Sequence, residues 1–432
     1  MKVAIKTLGC KLNQAESDEI IFSLSASGFQ IVPFREPADI YLINSCAVTQ
    51  EAERKTRQFV RQALRRDPSA TIFLMGCYPR KLQIFKEADS FPGRVFTISS
   101  LEKKEELLKK IEELSGVTII PSSFFLPGRV RAWLKVEEGC DHFCSYCLVS
   151  HLRGPVRSVP PERLLPQVKL WEEEGVREVV LTGINLGYYG VDLGGFRLIQ
   201  LLRLLLAETS AVRFRLSSLE PFTLTREFIE SYASLGPRVC PHFHLPLQSG
   251  SDRLLKKMRR GYQTAFFEEM VALIRDKMPT AGISTDLIVG FPGETDQDFQ
   301  TTVRFCQKIA FSRAHVFIFS PRPGTPAERW EQKEGIPHSV KKRREKILLE
   351  VVRRTQEDFH RSFLNKKLPV LFESLQDGFF SGYSDNYLPV RVKEEGSPSL
   401  AGGKVWPVLV EKIVPFGLVG RVVQEGFETV DN

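Results

Sequence analysis

"EEGCDHFCSYCLVSHLRGP", residues 137–155, places Cys140, Cys144 and Cys147 within eight residues, spaced C-x3-C-x2-C. Three thiols this close converge on one centre. Structural zinc wants four protein ligands, usually as paired C-x2-C units. His142 and His151 stand nearby, yet no further Cys or His completes a known zinc spacing. Soft thiolates also suit iron–sulfur clusters. Three thiolates on a four-iron cluster leave one iron open, and an open iron holds a reactant. The motif's place in the chain favours the cluster, because it follows the first of a series of strands.

That series runs from about residue 130 to 330. The strand candidates are "RAWLKVEEG" (131–139), "REVVLTGINLG" (177–187), "VRFRLSSLEP" (212–221), "CPHFHLPLQSG" (240–250), "GISTDLIVGFPGE" (282–294) and "RAHVFIFSPRPGT" (313–325). Helical stretches follow the first and separate the rest. Repeated strand–helix units predict a β/α barrel with its site at the strands' carboxyl ends. Six units rather than eight predict a partial (β/α)6 barrel, open on one side. Such a barrel suits a large substrate.

Upstream, three apolar strands each run into a cysteine: "MKVAIKTLGC" (1–10), "ADIYLINSC" (38–46) and "ATIFLMGC" (70–77). Helical patterns at 15–27 and 51–66 lie between them. This alternation predicts a parallel sheet with helices on both faces, and ligands bind at the carboxyl ends of such strands. Cys10, Cys46 and Cys77 fall there. In the helix at 51–66, Arg54, Arg57, Arg61 and Arg65 share a face opposite Phe59, Val60, Ala63 and Leu64. The apolar face is core. The basic stripe reads as a solvated face, or as phosphate contact if the cysteines hold a cluster beside it.

"SVKKRREKILLEVVRRTQEDFHRSFL" (339–364) reads as a basic, solvated helix. The remainder is short β-rich runs broken by Gly, Pro, Asn and Asp, a small all-β barrel or sandwich. From Asn365 onward seven basic face nine acidic residues, so the chain's net +8 resides upstream. A modest positive charge permits a nucleic-acid partner without demanding one. No apolar run approaches the roughly 18 residues of a membrane span. A cytoplasmic location is therefore expected, where thiols stay reduced and cysteines serve as metal or cluster ligands.

The C-x3-C-x2-C motif, with Tyr146 before its last cysteine, opening a (β/α)6 barrel, resembles the radical S-adenosylmethionine superfamily. A three-cysteine N-terminal domain and a β-rich C-terminal domain around it resemble the methylthiotransferases. "LTGINLGYYG", "RLSSLEP", "HFHLPLQSGSDRLLKKMRRGY" and "FSPRPGTPAE" are similar to the branch acting on threonylcarbamoyladenosine in tRNA. Pro79, Arg80, Ser150 and Val159 depart from the family's usual residues. The resemblance implies α/β architecture in three parts. These are a Rossmann-like domain (1–120), a TIM-like radical barrel with its trailing helix (130–364) and an OB-like TRAM domain (366–428). It implies two 4Fe-4S clusters, on Cys10, Cys46 and Cys77 and on Cys140, Cys144 and Cys147, each with an open iron. It implies two molecules of S-adenosylmethionine per turnover. One methylates a sulfur at the first cluster, and the other is cleaved to a 5′-deoxyadenosyl radical at the second. The implied partners are a tRNA anticodon stem-loop, an electron donor such as flavodoxin or ferredoxin, and a sulfur donor. A monomer away from membranes is expected.

By the same resemblance, Tyr146 and the strand-end residues Gly183, Asn185, Ser217, Glu220, Gln248 and Gly290 contact S-adenosylmethionine. Turn chemistry is the competing explanation for the glycines. Cys240 and Cys306 read as packing, and His242 and His244 as structural histidines. Lys256, Lys257, Arg259 and Arg260 are candidates for the rim of the site. Phe379, Phe380, Tyr383 and Tyr387 either stack on RNA bases or form core. Three other functions remain open: methylthiolation of isopentenyladenosine in tRNA, methylthiolation of an aspartate in a ribosomal protein, and a non-catalytic iron–sulfur RNA sensor.

Overall fold

A computed structural model describes residues 1–46, 50–77, 94–98, 103–120, 129–395 and 403–423. The turn at Pro79 and Arg80 lies outside them. Strands β1 (Lys2–Thr7), β2 (Gln30–Val32), β3 (Ile40–Ser45), β4 (Thr71–Gly76) and β5 (Val95–Thr97) form a parallel sheet in the order β2-β1-β3-β4-β5. Every residue of β3 is buried, as expected of a strand covered on both faces. Helix α2 (Gln50–Arg66) covers one face with Val60 and Ala63. Helices α1 (Lys11–Ala26) and α3 (Lys103–Ser115) cover the other with Ile20, Leu24, Leu107 and Ile111.

The second unit comprises β6 (Arg131–Lys135), β9 (Glu178–Thr182), β10 (Arg213–Leu216), β11 (His242–His244), β12 (Gly282–Val289) and β13 (Arg313–Ile318). A two-residue ladder, β7 (Glu137–Glu138) with β8 (Arg157–Ser158), follows β6. The six long strands are all parallel. They form two three-stranded sheets joined by parallel bridges Phe214↔Val239 and Ser218↔His244. Period-two alternation sorts their side chains. Ala132, Leu134, Val179, Leu181, Phe214 and Leu216 join the helices in the main apolar core. The opposite face carries Arg131, Glu178, Arg213, Arg215, His244, Asp286 and His315, so the lumen is polar. Helix α1 stands beside β6, with Ile21 and Phe22 in this second core and Glu16 3.7 Å from Lys135.

Strands β14 (Lys367–Gln376), β15 (Phe379–Ser384), β16 (Pro389–Lys393), β17 (Val405–Val414) and β18 (Gly417–Val422) close into a small barrel. Its core holds Val370, Phe372, Phe380, Val390, Val408 and Leu418. It stoppers the amino ends of the parallel strands: Arg215 donates to Asp385 O at 2.6 Å and Asn386 to Thr280 O at 3.0 Å. Tyr387 enters the lumen from below, stacked on Tyr383 at 4.8 Å and 4.7 Å from the Arg215 guanidinium. Phe380, Tyr383 and Tyr387 are thereby committed to core and interface, which decides against base stacking by these three.

At the lumen's base Glu178 is wholly buried and receives Arg131 and Arg213 at 2.7 Å and Arg215 at 2.8 Å. Burial alone would raise its carboxyl. The guanidiniums of Arg131, Arg215 and Arg213 outweigh that and hold it well below the usual carboxylate range. The basic helix His338–Arg361 is also less solvated than its composition implies. Lys341 and Arg344 are buried, paired with Glu331 and with Glu294 and Asp296. Cys240 and Cys306 are buried, as packing residues should be. No helix among the described residues is long and apolar enough to cross a membrane.

Candidate active site

The N-terminal cysteines gather where the parallel register delivers them. Thr7 pairs with Asn44 and Ser45 with Gly76, so the chain leaves β1, β3 and β4 at one edge. Gly9 and Gly76, at φ +105° and +97°, turn the backbone immediately before Cys10 and Cys77. Only glycine enters that region freely, which accounts for the Gly-Cys pattern. A Cβ on Gly9 would stand 3.2 Å from the Cys46 sulfur. Cys10 caps α1, and its thiol donates to Asn13 Oδ1 at 3.6 Å. Asn13 Oδ1 also accepts from Arg153 Nη2 at 2.9 Å, and Arg153 Nε donates to the Cys77 sulfur at 3.3 Å.

The central cysteines lie in the loop after β6 and β7. Each sulfur faces an N–H: His142 N to Cys140 at 3.4 Å, Arg260 Nη1 to Cys144 at 3.4 Å, Val149 N to Cys147 at 3.3 Å. Ser145 anchors the loop to Lys257 O and Met258 O. Burial pushes the Cys140 thiol up to about 11 and Cys147 up to about 12. Such thiols stay protonated unless a metal centre replaces their protons. Burial raises any enclosed thiol; what sets these three apart is an N–H on each sulfur, an environment that suits a metal-bound trithiolate. Among the described residues no three His, Cys, Asp or Glu converge tightly enough for a single ion. A four-iron cube holds its thiolates farther apart than a single ion does.

The residues expected to hold S-adenosylmethionine fall into two groups. Asn185 and Ser217 are buried at the strand ends. Both side-chain atoms of Asn185, and Ser217 Oγ, lack a hydrogen-bond partner among the described residues. Buried polar atoms without partners call for an explanation, and a polar ligand that binds at the strand ends is one. Glu220 pairs with Arg260, the cation that touches Cys144. Gln248 has φ +71°, costly for a residue with a Cβ, and its backbone ties Asp286 O to Ile288 N. Tyr146 packs edge-on to Phe291 at 6.3 Å in a small apolar cluster. Gly183 and Gly290 have protein-side reasons for lacking a side chain. A Cβ would stand 2.4 Å from Glu137 Oε2 at the first and 2.3 Å from Lys341 Cγ at the second.

Asp286, His315 and Phe317 escaped the sequence reading, whereas Arg260 was a candidate for the rim and His244 was read as a structural histidine. Arg260 proved to be the one rim cation drawn inward; Lys256 and Arg259 are exposed. His244 bonds Ser284 and Asp286, at 3.0 and 3.3 Å, and Asp286 pairs in register with His315. With Phe317, these groups line the lumen on the β13 side. Alternation along 313–318 marks them, because Arg313, His315 and Phe317 are the more exposed positions.

Glu137 also escaped notice. Burial pushes its carboxyl up to about 8, against hydrogen bonds from the Asn185 and Ile184 amides. A carboxyl raised in the fold stabilises fully below its unfolded value near 4.5 and loses that contribution as pH climbs through about 8. Glu137→Gln copies the neutral acid. Its stability should vary less than wild type between pH 5 and 8 in urea titrations, and an identical pH slope would refute this assignment.

The chain matches the Radical SAM superfamily over residues 134–306 and an uncharacterised family, UPF0004, over residues 2–92. It is 37% identical over 423 residues to the threonylcarbamoyladenosine tRNA methylthiotransferase MtaB of Aquifex aeolicus, covering 95% of this chain and all of that one. It is 33% identical to the tRNA-2-methylthio-N(6)-dimethylallyladenosine synthase of Thermus thermophilus, over 98% of this chain and 92% of the other. Among solved structures, the radical S-adenosylmethionine methyltransferase TsrM of Kitasatospora setae superposes with TM-score 0.55 at 14% identity. The match covers 76% of this chain and 75% of that one, and at this identity it speaks for the fold alone. On the strength of the full-length relatives, the chain belongs to the radical S-adenosylmethionine methylthiotransferases.

Proposed function

We propose that the protein adds a methylthio group to C2 of N6-threonylcarbamoyladenosine at position 37 of tRNA, next to the anticodon. The observation that carries the reading is the pairing of two trithiol sites in one full-length relative of such enzymes. Cys140, Cys144 and Cys147 hold one 4Fe-4S cluster, and Cys10, Cys46 and Cys77 hold a second. Bound here, cluster and S-adenosylmethionine supply the radical chemistry that an unactivated aromatic C–H demands and acid–base side chains lack.

The chain's own residues do the rest. Asn185, Ser217 and Glu220 orient S-adenosylmethionine at the strand ends. Arg260 steadies Cys144 while balancing Glu220. The lumen wall of His244, Asp286, His315 and Phe317 receives the adenine, which leaves its stack where stacking is weakest, in a loop. The stopper of β14–β18 is read as a TRAM domain that binds RNA through its outer surface. An electron donor of the flavodoxin or ferredoxin type and a sulfur donor complete the cycle in the cytoplasm.

The test is mass spectrometry of tRNA nucleosides from a bacterial strain deleted for its own enzyme, with and without this gene. Methylthiolated threonylcarbamoyladenosine should appear only with the gene. A methylthio group on dimethylallyladenosine instead would move the protein to the other tRNA branch.

A further inference from the structure

Arg153 is fully buried, six residues beyond Cys147, at the end of the short helix α4 (Val149–Arg153). Burying a guanidinium is costly unless it is paired and hydrogen-bonded. This one is paired: Nη1 meets Glu16 at 2.6 Å and Glu138 at 2.9 Å, and Nη2 donates to Asn13 Oδ1. Its remaining nitrogen, Nε, does not seek an oxygen. It donates to the sulfur of Cys77 at 3.3 Å. At the other end of α4, the Val149 amide donates to the sulfur of Cys147 at 3.3 Å. One five-residue helix therefore has an N–H on a sulfur of each trithiol set.

We infer that Arg153 is a positioning residue of the Cys10/Cys46/Cys77 cluster. It sets that cluster's reduction potential and, through α4, its placement relative to the Cys140/Cys144/Cys147 cluster. The inference rests on the two-cluster reading above. N–H donors to cluster sulfurs, and nearby positive charge, stabilise the reduced and more negative state. Reduction adds one electron to the cluster, and the guanidinium lies on the sulfur that shares the added charge. Glu16 and Glu138 hold the guanidinium in place, and both come from elements that frame the junction, α1 and β7. Arginine suits the role because its rigid planar fork spreads five N–H donors over three nitrogens in fixed directions, whereas a lysine's three donors share one freely rotating nitrogen.

The experiment uses the full chain carrying Cys140→Ala and Cys144→Ala. This form keeps Cys147 and α4 but leaves the central cluster two ligands short. Reconstituted anaerobically, it should bind about four irons; binding none would overturn the two-cluster reading itself. The chain is labelled with [15N]arginine and reduced with dithionite. Pulsed EPR should show a 15N coupling on the remaining cluster, absent after Arg153→Lys. Its midpoint potential should fall in Arg153→Gln and recover in part in Arg153→Lys, which keeps the charge and loses the fork. A merely structural arginine would move iron content without moving the potential of the cluster that remains. An iron-loaded chain without arginine coupling overturns the inference. That measurement needs no substitution at Arg153, so it stands even if Arg153→Gln fails to fold.

Discussion

Cys77→Ala should eliminate methylthio transfer while S-adenosylmethionine cleavage continues. The strand-end geometry separates the two sets of thiols: Cys77 ends β4 beside Arg153, whereas Cys140, Cys144 and Cys147 sit beyond β6 on their own N–H donors. On the two-cluster reading proposed above, losing Cys77 removes a ligand from one set and leaves the other intact. Disturbing only the groups around metal ligands usually costs about 10–100-fold, so loss of a ligand itself should exceed that. Iron content should drop from about eight to about four per chain. Dithionite and S-adenosylmethionine should still yield 5′-deoxyadenosine. Equal loss of cleavage and transfer would show that the two sites do not divide the work.

The second large effect concerns stability. Glu178→Gln removes the one carboxylate shared by Arg131, Arg213 and Arg215 at the lumen's base. Breaking a buried ion pair from one side costs about 3–5 kcal/mol, because charge is left uncompensated. The loss should appear as a lower urea midpoint. Because these guanidiniums also bind Pro369, Ser384 and Asp385, the loss should also appear as protease access between the parallel strands and the C-terminal barrel. A depressed carboxyl stabilises above its unfolded value, near 4.5, and that contribution fades only as pH falls through the lower folded value. Wild type should therefore keep this part of its stability at pH 5, and the variant's deficit should shrink only in stronger acid. A midpoint within error of wild type at pH 7 would show that the network does not carry the interface.

What could be read from sequence follows a physical divide. Strand periodicity and glycine placement are local, so the parallel order, the six barrel strands and the β-rich C-terminal unit were legible. So was the gathering of Cys10, Cys46 and Cys77 at one edge, because strand ends in parallel sheets coincide. Residues that act across domains were not. Arg153 looks like any arginine in "HLRGP", and its importance depends on α1 and β4 arriving beside it. Lys341 and Arg344 looked solvated because composition cannot show that Glu331 and Glu294 meet them. Tyr387 could be read as base-stacking or as core, and nothing local reveals that its ring enters another domain's lumen.

Helix α1 has a consequence for how the molecule can be divided. It begins at a cysteine of the first domain, yet Ile21 and Phe22 belong to the apolar core of the second and Glu16 reaches that domain's Lys135 and Arg153. It acts as an extra stave for a barrel that has only six. A fragment starting at residue 130 would lose those contacts and leave that flank of β6 uncovered. The first domain is thus built into the wall of the second, and cutting the chain between them would expose apolar surface on both.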